Sequence, residues 1–268
     1  MTSHDLISIF KDTQRLINND PLLLNRMLKC QSSSRLYLDG YTSPIHRIKG
    51  CREVEVIEST AFQCARDAMK TAKKIAVLNF ANPHEPGGGV LRGVMAQEEC
   101  LCRCSDLYNV LAQPYFQKHY YQYHYHNCDY CFSDRLIYSP NVTVIKSDDQ
   151  IPQILDKPFS VDVITCAAPY LFEYVEETDE ELLLVYKSRI RNILEVAMSH
   201  EVDFLILGAF GCGAFHNNPV LMAKAFSDLL IHEKYAKYFE RVIFAIKRKD
   251  AFCNNLSSFE KAFCGVSI

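Results

Sequence analysis

The spacing of apolar residues divides the chain into a helical start and a longer part in which strands and helices alternate. Leu6 and Phe10 lie one helical turn apart, and a second short apolar run extends over 22–28. We therefore predict that residues 1–50 form a helical extension packed on a main domain, which would comprise 51–268. In that main part, β-rich apolar runs alternate with helical segments, which is typical of a sheet with helices on its faces.

Seven short runs predict strands and four longer segments predict helices. Most of the strand candidates are too apolar for a strand with one face in water, so we expect a three-layer α/β/α domain in which helices cover both faces of the sheet. The strand candidates are Val54–Ile57, Ile75–Phe80, Leu136–Tyr138, Val142–Ile145, Val161–Thr165, Phe204–Leu207 and Val242–Ile246. The helix candidates extend from Thr60 to about Ala72, from Gln97 to about Leu111, from Glu177 to about Ser199 and from Pro219 to about Ile231.

Composition excludes several classes of protein. No stretch approaches the roughly 18 consecutive apolar residues of a membrane helix. The start of the chain lacks the basic residues and the apolar run of a signal peptide, so we expect an intracellular, cytoplasmic protein, or a nuclear one if its source is eukaryotic. The net charge is −3 and Lys and Arg are scattered, which argues against affinity for bulk nucleic acid. The 12 cysteines are expected to be mostly reduced, buried thiols.

The first candidate site follows the strand candidate at 75–80. Three successive glycines, Gly87, Gly88 and Gly89, can adopt positive φ and present backbone N–H groups on a surface without side chains. Such a surface suits a diphosphate. After a further seven residues, Gln97 opens the next helix candidate.

Two adjacent acids, Glu98 and Glu99, follow Gln97 in the first turn of this helix candidate. Cleavage of a glycosidic bond requires a proton for the leaving oxygen and an activated water, and one carboxyl with a raised pKa can serve both steps. Alternatively, the acids only complement the positive end of the helix dipole. Their spacing from the triple glycine favours the catalytic interpretation.

A second glycine-rich turn follows the strand candidate at 204–207. The segment 208–219, GAFGCGAFHNNP, precedes a helix candidate, so its backbone amides could hold a diphosphate at a helix N-terminus. The order of the glycines is G-x-x-G-x-G, whereas a dinucleotide-binding fold uses G-x-G-x-x-G near its first strand. The sequence therefore argues against a dehydrogenase.

These segments resemble the signature of one family. The residues NFAN at 79–82, PGGG at 86–89, AQEECLCR at 96–103 and SDLY at 105–108 resemble the microbial-type poly(ADP-ribose) glycohydrolases of the macrodomain superfamily. The resemblance implies a macrodomain-like fold with a mixed central sheet. It also implies hydrolysis of the ribose–ribose bonds of poly(ADP-ribose), with release of ADP-ribose and without a metal or cofactor.

The resemblance also implies roles for individual residues. Glu99 would be the catalytic residue, first as proton donor and then as base, while Glu98 and Asn82 would orient the hydroxyls of the ribose being released. Gln97 would be a positioning residue. Phe215 would pack against the distal ribose. The backbone that lines the diphosphate and this ribose would come from Gly87, Gly88, Gly89, Gly211, Cys212, Gly213 and Ala214.

Three functions stay open at this point. The first is a monomeric enzyme that releases ADP-ribose from poly(ADP-ribose). The second is a hydrolase of mono-ADP-ribose on a protein or a nucleic acid, and the third is a macrodomain that binds ADP-ribose without cleaving it. Both acids of the signature are present, which favours an enzyme.

The remaining features of the sequence have less bearing on function. The segment 115–130 is dense in Tyr and His but has no clear period, so we predict a loop or an irregular insertion. Within it, the pattern H-x-H-x-C-x-x-C has metal-binding side chains, but it is compressed, and we interpret it as surface histidines with unpaired thiols rather than as a zinc site. Tyr170 stands where the family tends to have Asn, which leaves the adenine-side contacts open. The residues of the compressed pattern are His124, His126, Cys128 and Cys131, and a separate group, Cys100, Cys102 and Cys104, is interpreted as packing.

Overall fold

A mixed β-sheet of seven strands lies at the centre of the part of the chain that the computed structural model describes, residues 1–51, 54–72, 74–171, 177–248 and 254–263. In chain order the strands are β1 (Arg35–Tyr37), β2 (Val54–Ile57), β3 (Ile75–Phe80), β4 (Leu136–Lys146), β5 (Ile154–Cys166), β6 (Phe204–Leu207) and β7 (Arg241–Ala245). Their order across the sheet is β1-β4-β5-β3-β6-β7-β2. Strands β5, β3, β6, β7 and β2 are parallel to one another, whereas β4 is antiparallel to β5 and to β1.

Helices cover both faces of this sheet, which confirms the predicted three-layer α/β/α class. In chain order they are α1 (Ser3–Asn19), α2 (Pro21–Ser33), α3 (Ala61–Ala68), α4 (Gln97–Cys104), α5 (Leu107–Leu111), α6 (Pro114–Phe116), α7 (Gln122–Asn127), α8 (Asp179–Ser199), α9 (Pro219–Ser227) and α10 (Asn255–Phe263). Side chains of β3 alternate between the faces. Ala76 and Leu78 join the core beneath α8, α9 and α10, whereas Ile75 and Val77 join the core beneath α3, α4 and α5.

The strand predictions agree with the sheet at its centre, and the structure joins two of them. The runs at 136–138 and 142–145 form the single strand β4, which is irregular between Ser139 and Val142. Asp162 of β5 explains the continuity, because it accepts hydrogen bonds from the backbone N–H of Asn141 and from the hydroxyl of Tyr138. The chain therefore continues as one strand through Asn141, whose φ is 56°, instead of leaving the sheet there.

The predicted helix from 97 to about 111 is two helices, because the chain is extended at Ser105, where φ is −145°. Ser105 pairs with Val144 of β4 as an isolated β-bridge. Its hydroxyl donates to the carbonyl of Leu101 and accepts from the N–H of Leu107, so it caps both helix ends. The break docks the end of α4 on the sheet.

The prediction of a loop or irregular insertion at 115–130 is wrong for most of the segment. Helix α6, a π-helical turn at Gln117–Tyr121 and helix α7 follow one another from Pro114 to Asn127. Tyr120, Tyr121 and His124 are buried, so these three side chains form the inward face. Because a π turn shifts the helical period, this face does not repeat every 3.6 residues.

The two N-terminal helices were predicted, but strand β1 and helix α10 were not. Helix α1 begins with a capping box between Thr2 and Asp5, and Asp20 caps α2.

The division of the chain into 1–50 and 51–268 stays a prediction, and the last residues of the chain, 264–268, lie outside the described ranges. Of the helices in those ranges, none has the length and apolar character needed to cross a membrane.

Candidate active site

Gln97 joins the start of helix α4 to the end of strand β3. Its side-chain oxygen accepts from the N–H of Phe80 at 2.9 Å, and its Nε2 donates to the carbonyl of Leu78 at 2.7 Å. Both ends of the amide therefore hold the strand backbone. The two residues that follow Gln97 are placed beside the carboxyl end of β3, which supports a positioning role for this side chain.

Glu98 is 2% exposed and accepts two hydrogen bonds. Oε2 accepts from the backbone N–H of Asn82 at 2.7 Å, and Oε1 accepts from the Nδ2 of Asn79 at 3.2 Å. Burial, together with the charge of Glu99, raises the pKa of Glu98 to about 8 despite these bonds. The carboxyl is therefore mostly protonated at neutral pH and has an O–H to donate.

Glu99 is also buried, but its two oxygens differ. Oε1 accepts from the backbone N–H of Gly89 at 2.8 Å. Oε2 is buried and has no hydrogen-bond partner among the described residues. A buried carboxyl oxygen without a partner is uncommon because the desolvation is not compensated, and such atoms occur at reactive sites. One oxygen of Glu99 is thus fixed and the other is available.

The triple glycine lies directly against these acids. Gly87 and Gly88 have φ of 67° and 55°, a region that suits glycine. A Cβ on Gly88 would lie 2.5 Å from Oε1 of Glu99 and 3.1 Å from Oε2 of Glu98. The glycines therefore make room for the two carboxyls. All three are buried, and the N–H groups of Gly88 and Gly89 donate to the carbonyl of Glu85 and to Glu99, so the free backbone surface expected here is not formed by these two amides.

Asn82 shapes the loop between β3 and the glycines. Its Oδ1 accepts from the N–H groups of His84 and Glu85 at 2.8 and 3.0 Å, which closes a tight turn. Its own N–H donates to Glu98. The side chain is half-buried beside Glu98.

The second glycine-rich loop lies beside the first because β6 is the parallel neighbour of β3. At its centre Gly211 has φ of 71°, and a Cβ there would lie 2.5 Å from the Cβ of Ala168. Asn217 fastens this loop to the one after β5, since its Nδ2 donates to the carbonyls of Pro169 and Gly211 at 2.8 and 3.1 Å. The sheet thus brings both glycine-rich segments to one edge.

The tip of the second loop faces outward. Gly213 and Ala214 are exposed, whereas Cys212 and Phe215 are half-buried. The ring of Phe215 meets that of Tyr170 edge-on, with 5.4 Å between the centroids. The Tyr at 170 therefore contacts the aromatic side chain that was predicted to pack against the distal ribose.

The compressed His/Cys pattern has a different structural role from the one predicted. The interpretation as surface histidines is correct for His126 but wrong for His124, which is buried. His124 Nε2 lies 2.8 Å from the hydroxyl of Ser133, and burial lowers the pKa of the imidazole to about 3. Within the described ranges, His, Cys, Asp and Glu side chains form no group of three or more placed to hold a metal ion.

Cys102 and Cys104 are buried, in agreement with the packing interpretation. Burial raises the pKa of both thiols well above the ordinary value, so they are unreactive at neutral pH. Cys100 is half-buried and accepts a hydrogen bond from Arg103.

Two buried residues of the site were missed in the sequence. Asn79 donates to Glu98 and to the hydroxyl of Thr165, and Arg103 donates to the carbonyl of Val94 at 2.6 Å, which closes the segment between the glycines and α4. Both lie within the signature segments. For Asn79 the detectable signal was a polar side chain within an otherwise apolar strand, which calls for a buried partner.

Comparisons with known proteins converge on one family. The family model "Microbial-type PARG, catalytic domain" matches residues 11–147. A solved structure of poly(ADP-ribose) glycohydrolase from Thermomonospora curvata is 30% identical, with 97% of this chain and 100% of that chain covered and a TM-score of 0.87. The same protein bound to the inhibitor ADP-HPD, at 30% identity and with the same coverage, has a TM-score of 0.85. The Deinococcus radiodurans poly(ADP-ribose) glycohydrolase in complex with ADP-ribose is 32% identical, with 88% and 96% covered and a TM-score of 0.78. No curated protein matches the chain.

Proposed function

Because this chain belongs to the microbial-type PARG family and is a poly(ADP-ribose) glycohydrolase, we propose that Glu99 is the catalytic acid and base of its reaction. The bond cleaved is the ribose–ribose glycosidic bond, and the product is ADP-ribose. We also propose that the enzyme acts as a monomer inside the cell, on poly(ADP-ribose) or on an ADP-ribosylated protein.

The unpaired Oε2 of Glu99 carries this proposal. The atom is buried and has no hydrogen-bond partner among the described residues, while Oε1 is held by the N–H of Gly89. A proton donor must be within hydrogen-bond reach of the reacting oxygen and must keep its orientation. The fixed Oε1 supplies the orientation, and no described residue competes with the substrate for a hydrogen bond to Oε2.

The chemistry follows from the two different carboxyls. In the catalytic step, the protonated form of Glu99 donates its proton to the leaving oxygen as the glycosidic bond breaks and positive charge develops on the distal ribose. The resulting carboxylate then takes a proton from a water molecule, whose oxygen bonds to the anomeric carbon. Glu99 ends protonated, as it began, and one water is consumed for each ADP-ribose released.

The neighbouring groups hold the ribose and the diphosphate. Glu98 is neutral at physiological pH because of its raised pKa, so its O–H can donate to a ribose hydroxyl while Asn82 bonds a second one. The two glycine-rich loops lie at one edge of the sheet, and the exposed tip of the second loop, Gly213 and Ala214, presents backbone to the diphosphate. Phe215, half-buried against Tyr170, packs against the distal ribose.

The test compares wild-type protein with Glu99→Gln on labelled poly(ADP-ribose), with the products resolved by length. The substitution keeps the shape of the side chain and removes its acid–base function, so we expect a loss of about 10²- to 10⁴-fold in the rate of ADP-ribose release. Affinity for free ADP-ribose should change little. Glu180→Gln, at an exposed position in the first turn of α8, is the matched control and should retain full activity.

Two outcomes would contradict the proposal. If the wild-type protein binds ADP-ribose but releases none from the polymer, it is a binding module and the enzymatic function is wrong. If Glu99→Gln keeps full activity, the chain is an enzyme with a different catalytic residue.

A further inference from the structure

A group of aromatic side chains borders the site on the side away from the second glycine-rich loop. The imidazole of His84 meets the ring of Tyr125 at 5.6 Å between centroids and the ring of Phe132 at 5.5 Å, nearly perpendicular to both. We call these three residues the aromatic rim. The proposed chemistry uses none of them.

The aromatic rim is joined to the site through the loop that carries Asn82. The N–H of His84 donates to Oδ1 of Asn82 at 2.8 Å, and the N–H of Asn82 donates to Glu98 at 2.7 Å. His84 is therefore only two residues from a group that contacts the acids.

Sheet topology places the aromatic rim opposite the second glycine-rich loop. That loop follows β6, which lies on one side of β3, whereas β5 and β4 lie on the other side. Phe132 is four residues before β4, whose first residue, Leu136, pairs with the last residue of β5, Cys166. Phe80, at the end of β3, pairs with Cys166 as well. The start of β4 and the end of β3 therefore meet at the edge of the sheet where the acids lie.

Tyr125 is unusual in being both ordered by a partner and open to solvent. It is 70% exposed, although large aromatic side chains usually bury most of their surface. One residue before it, the buried His124 meets the rings of Tyr120 and Phe132 and fixes helix α7 in place. An exposed ring on a fixed backbone loses little conformational freedom when a flat ligand stacks on it.

We propose that the aromatic rim is a binding site for the purine ring of the ADP-ribose unit that remains on the polymer when the bond is cut. This inference rests on the proposed function, since the released unit must occupy the glycine-rich loops. The retained unit is covalently attached to the oxygen that leaves, so it emerges beside Glu99 and away from those loops. Tyr125 offers the ring face for stacking, and His84, which itself packs against Phe132, holds that ring.

The charge of the aromatic rim supports stacking rather than ion pairing. Partial burial lowers the pKa of His84, so its imidazole is neutral at physiological pH. A neutral ring has no salt bridge to offer a polymer phosphate. Stacking on aromatic side chains is how proteins commonly hold exposed bases of single strands.

The experiment measures ADP-ribose release from poly(ADP-ribose) by Tyr125→Ala, Tyr125→Phe and Tyr115→Ala. Tyr115 is 57% exposed in the same helical segment, ten residues before Tyr125, and its ring contacts only Phe116 and His119 among the described aromatic residues, so its variant is a matched control. We expect Tyr125→Ala to lower kcat/KM on the polymer about 5- to 150-fold, mainly through KM, as loss of one stacked base predicts. Tyr125→Phe and Tyr115→Ala should stay within a factor of two of the wild type, on the order of experimental error.

Affinity for free ADP-ribose, measured by calorimetry, separates the two proposals. ADP-ribose fills only the released-unit site, so its Kd should be the same for the wild type and Tyr125→Ala. The aromatic rim is not a purine site if Tyr125→Ala leaves kcat/KM unchanged, if Tyr115→Ala lowers it equally, or if ADP-ribose affinity falls in parallel. If wild-type protein releases no ADP-ribose from the polymer, the proposed function itself fails, whatever Tyr125→Ala does.

Discussion

Glu98 and Glu99 are neighbours in the chain, yet their carboxyls have different surroundings. Among the described residues, Glu98 has a hydrogen-bond donor at each oxygen, whereas Glu99 has a donor at one oxygen only. The difference arises because the Asn82 loop and the glycine loop approach helix α4 from two sides. Gly88 makes this possible, since any Cβ at that position would collide with Oε1 of Glu99.

The raised pKa of Glu98 predicts a pH-dependent cost of folding. A carboxyl with a folded-state pKa of about 8, above its usual 4.5, favours folding fully below pH 4.5. That contribution is lost as the pH rises from 4.5 through 8, because the folded protein must then bury a charge. At about 1.4 kcal/mol per pKa unit, the cost at pH 9 is on the order of a few kcal/mol. Glu98→Gln removes it.

We therefore expect Glu98→Gln to be more stable than wild-type protein at pH 9 and to lose this advantage by pH 5. Asn79 can accommodate the change, because its Oδ1 has no partner among the described residues and a turned amide would accept from the new side-chain NH₂. Thermal melts between pH 5 and 9 would measure the difference, with the exposed Glu180→Gln as control. A difference in Tm that stays constant with pH would show that Glu98 is already ionised in the folded protein.

Helix α1 is connected to the site by packing. The hydroxyl of Thr13 donates to the carbonyl of Arg103 at 2.6 Å, near the end of α4. The ring of Phe10 meets that of Tyr108 edge-on at 5.1 Å. Tyr108 in turn lies so close to Gly87 that a Cβ there would be 2.9 Å from its Cδ2. This chain of contacts leads from the N-terminal extension to the triple glycine.

Phe10→Leu should therefore impair catalysis as well as stability. A smaller side chain loses the edge contact with Tyr108 and should cost about 1–2 kcal/mol. It should also lower kcat/KM several-fold at temperatures well below unfolding, because the glycine loop loses its support. Phe263→Leu is the matched control: Phe263 of α10 is buried in the core on the opposite face of the sheet. If the two variants lose the same stability and keep the same activity as each other, α1 stabilises the fold but does not support the glycine loop.

Sequence patterns predicted the strands of the central sheet and the longer helices with an unbroken period, and they missed elements that are short or interrupted. Strands β3 and β6 were predicted at their observed limits, because both are buried on two faces and contain few polar side chains. Strand β1 is three residues long and only partly buried, so it has too little pattern to detect. Helices α6 and α7 were missed because the π turn between them interrupts the period.

The site was predictable in its chemistry but not in its packing. The glycines and the adjacent acids can be recognised in the sequence itself, because their spacing is typical of such a site. That Gly88 lies against Glu99, or that Asn79 supports Glu98, depends on how the loop folds back over α4. No local preference encodes such a contact. The aromatic rim was hidden for the same reason, because His84 and Tyr125 are 41 residues apart in the chain.

The N-terminal extension contributes to the main core as well as covering it. Phe10 of α1 and Cys30 of α2 belong to the same buried cluster as Val77 of β3. Strand β1 adds an antiparallel edge to the sheet beside β4. The ammonium group of Lys146 in β4 donates to the carbonyl of Ile9 at 3.0 Å. We propose that residues 1–50 fold together with the catalytic domain at 51–268 as one cooperative unit.

One cooperative unit predicts that α1 and β3 are protected from hydrogen exchange to the same extent. In native-state exchange, their slowest amides should report the same opening free energy, because neither can open without exposing the shared core. ADP-ribose at about 100 times its Kd should raise both opening free energies by about 2.7 kcal/mol, even though none of the predicted ligand-binding residues lies in α1. If α1 exchanges at a lower free energy, and that value does not move with ADP-ribose, the extension is an independently opening cap. The extension would then open without the rest of the core, and the proposal of one cooperative unit would be wrong.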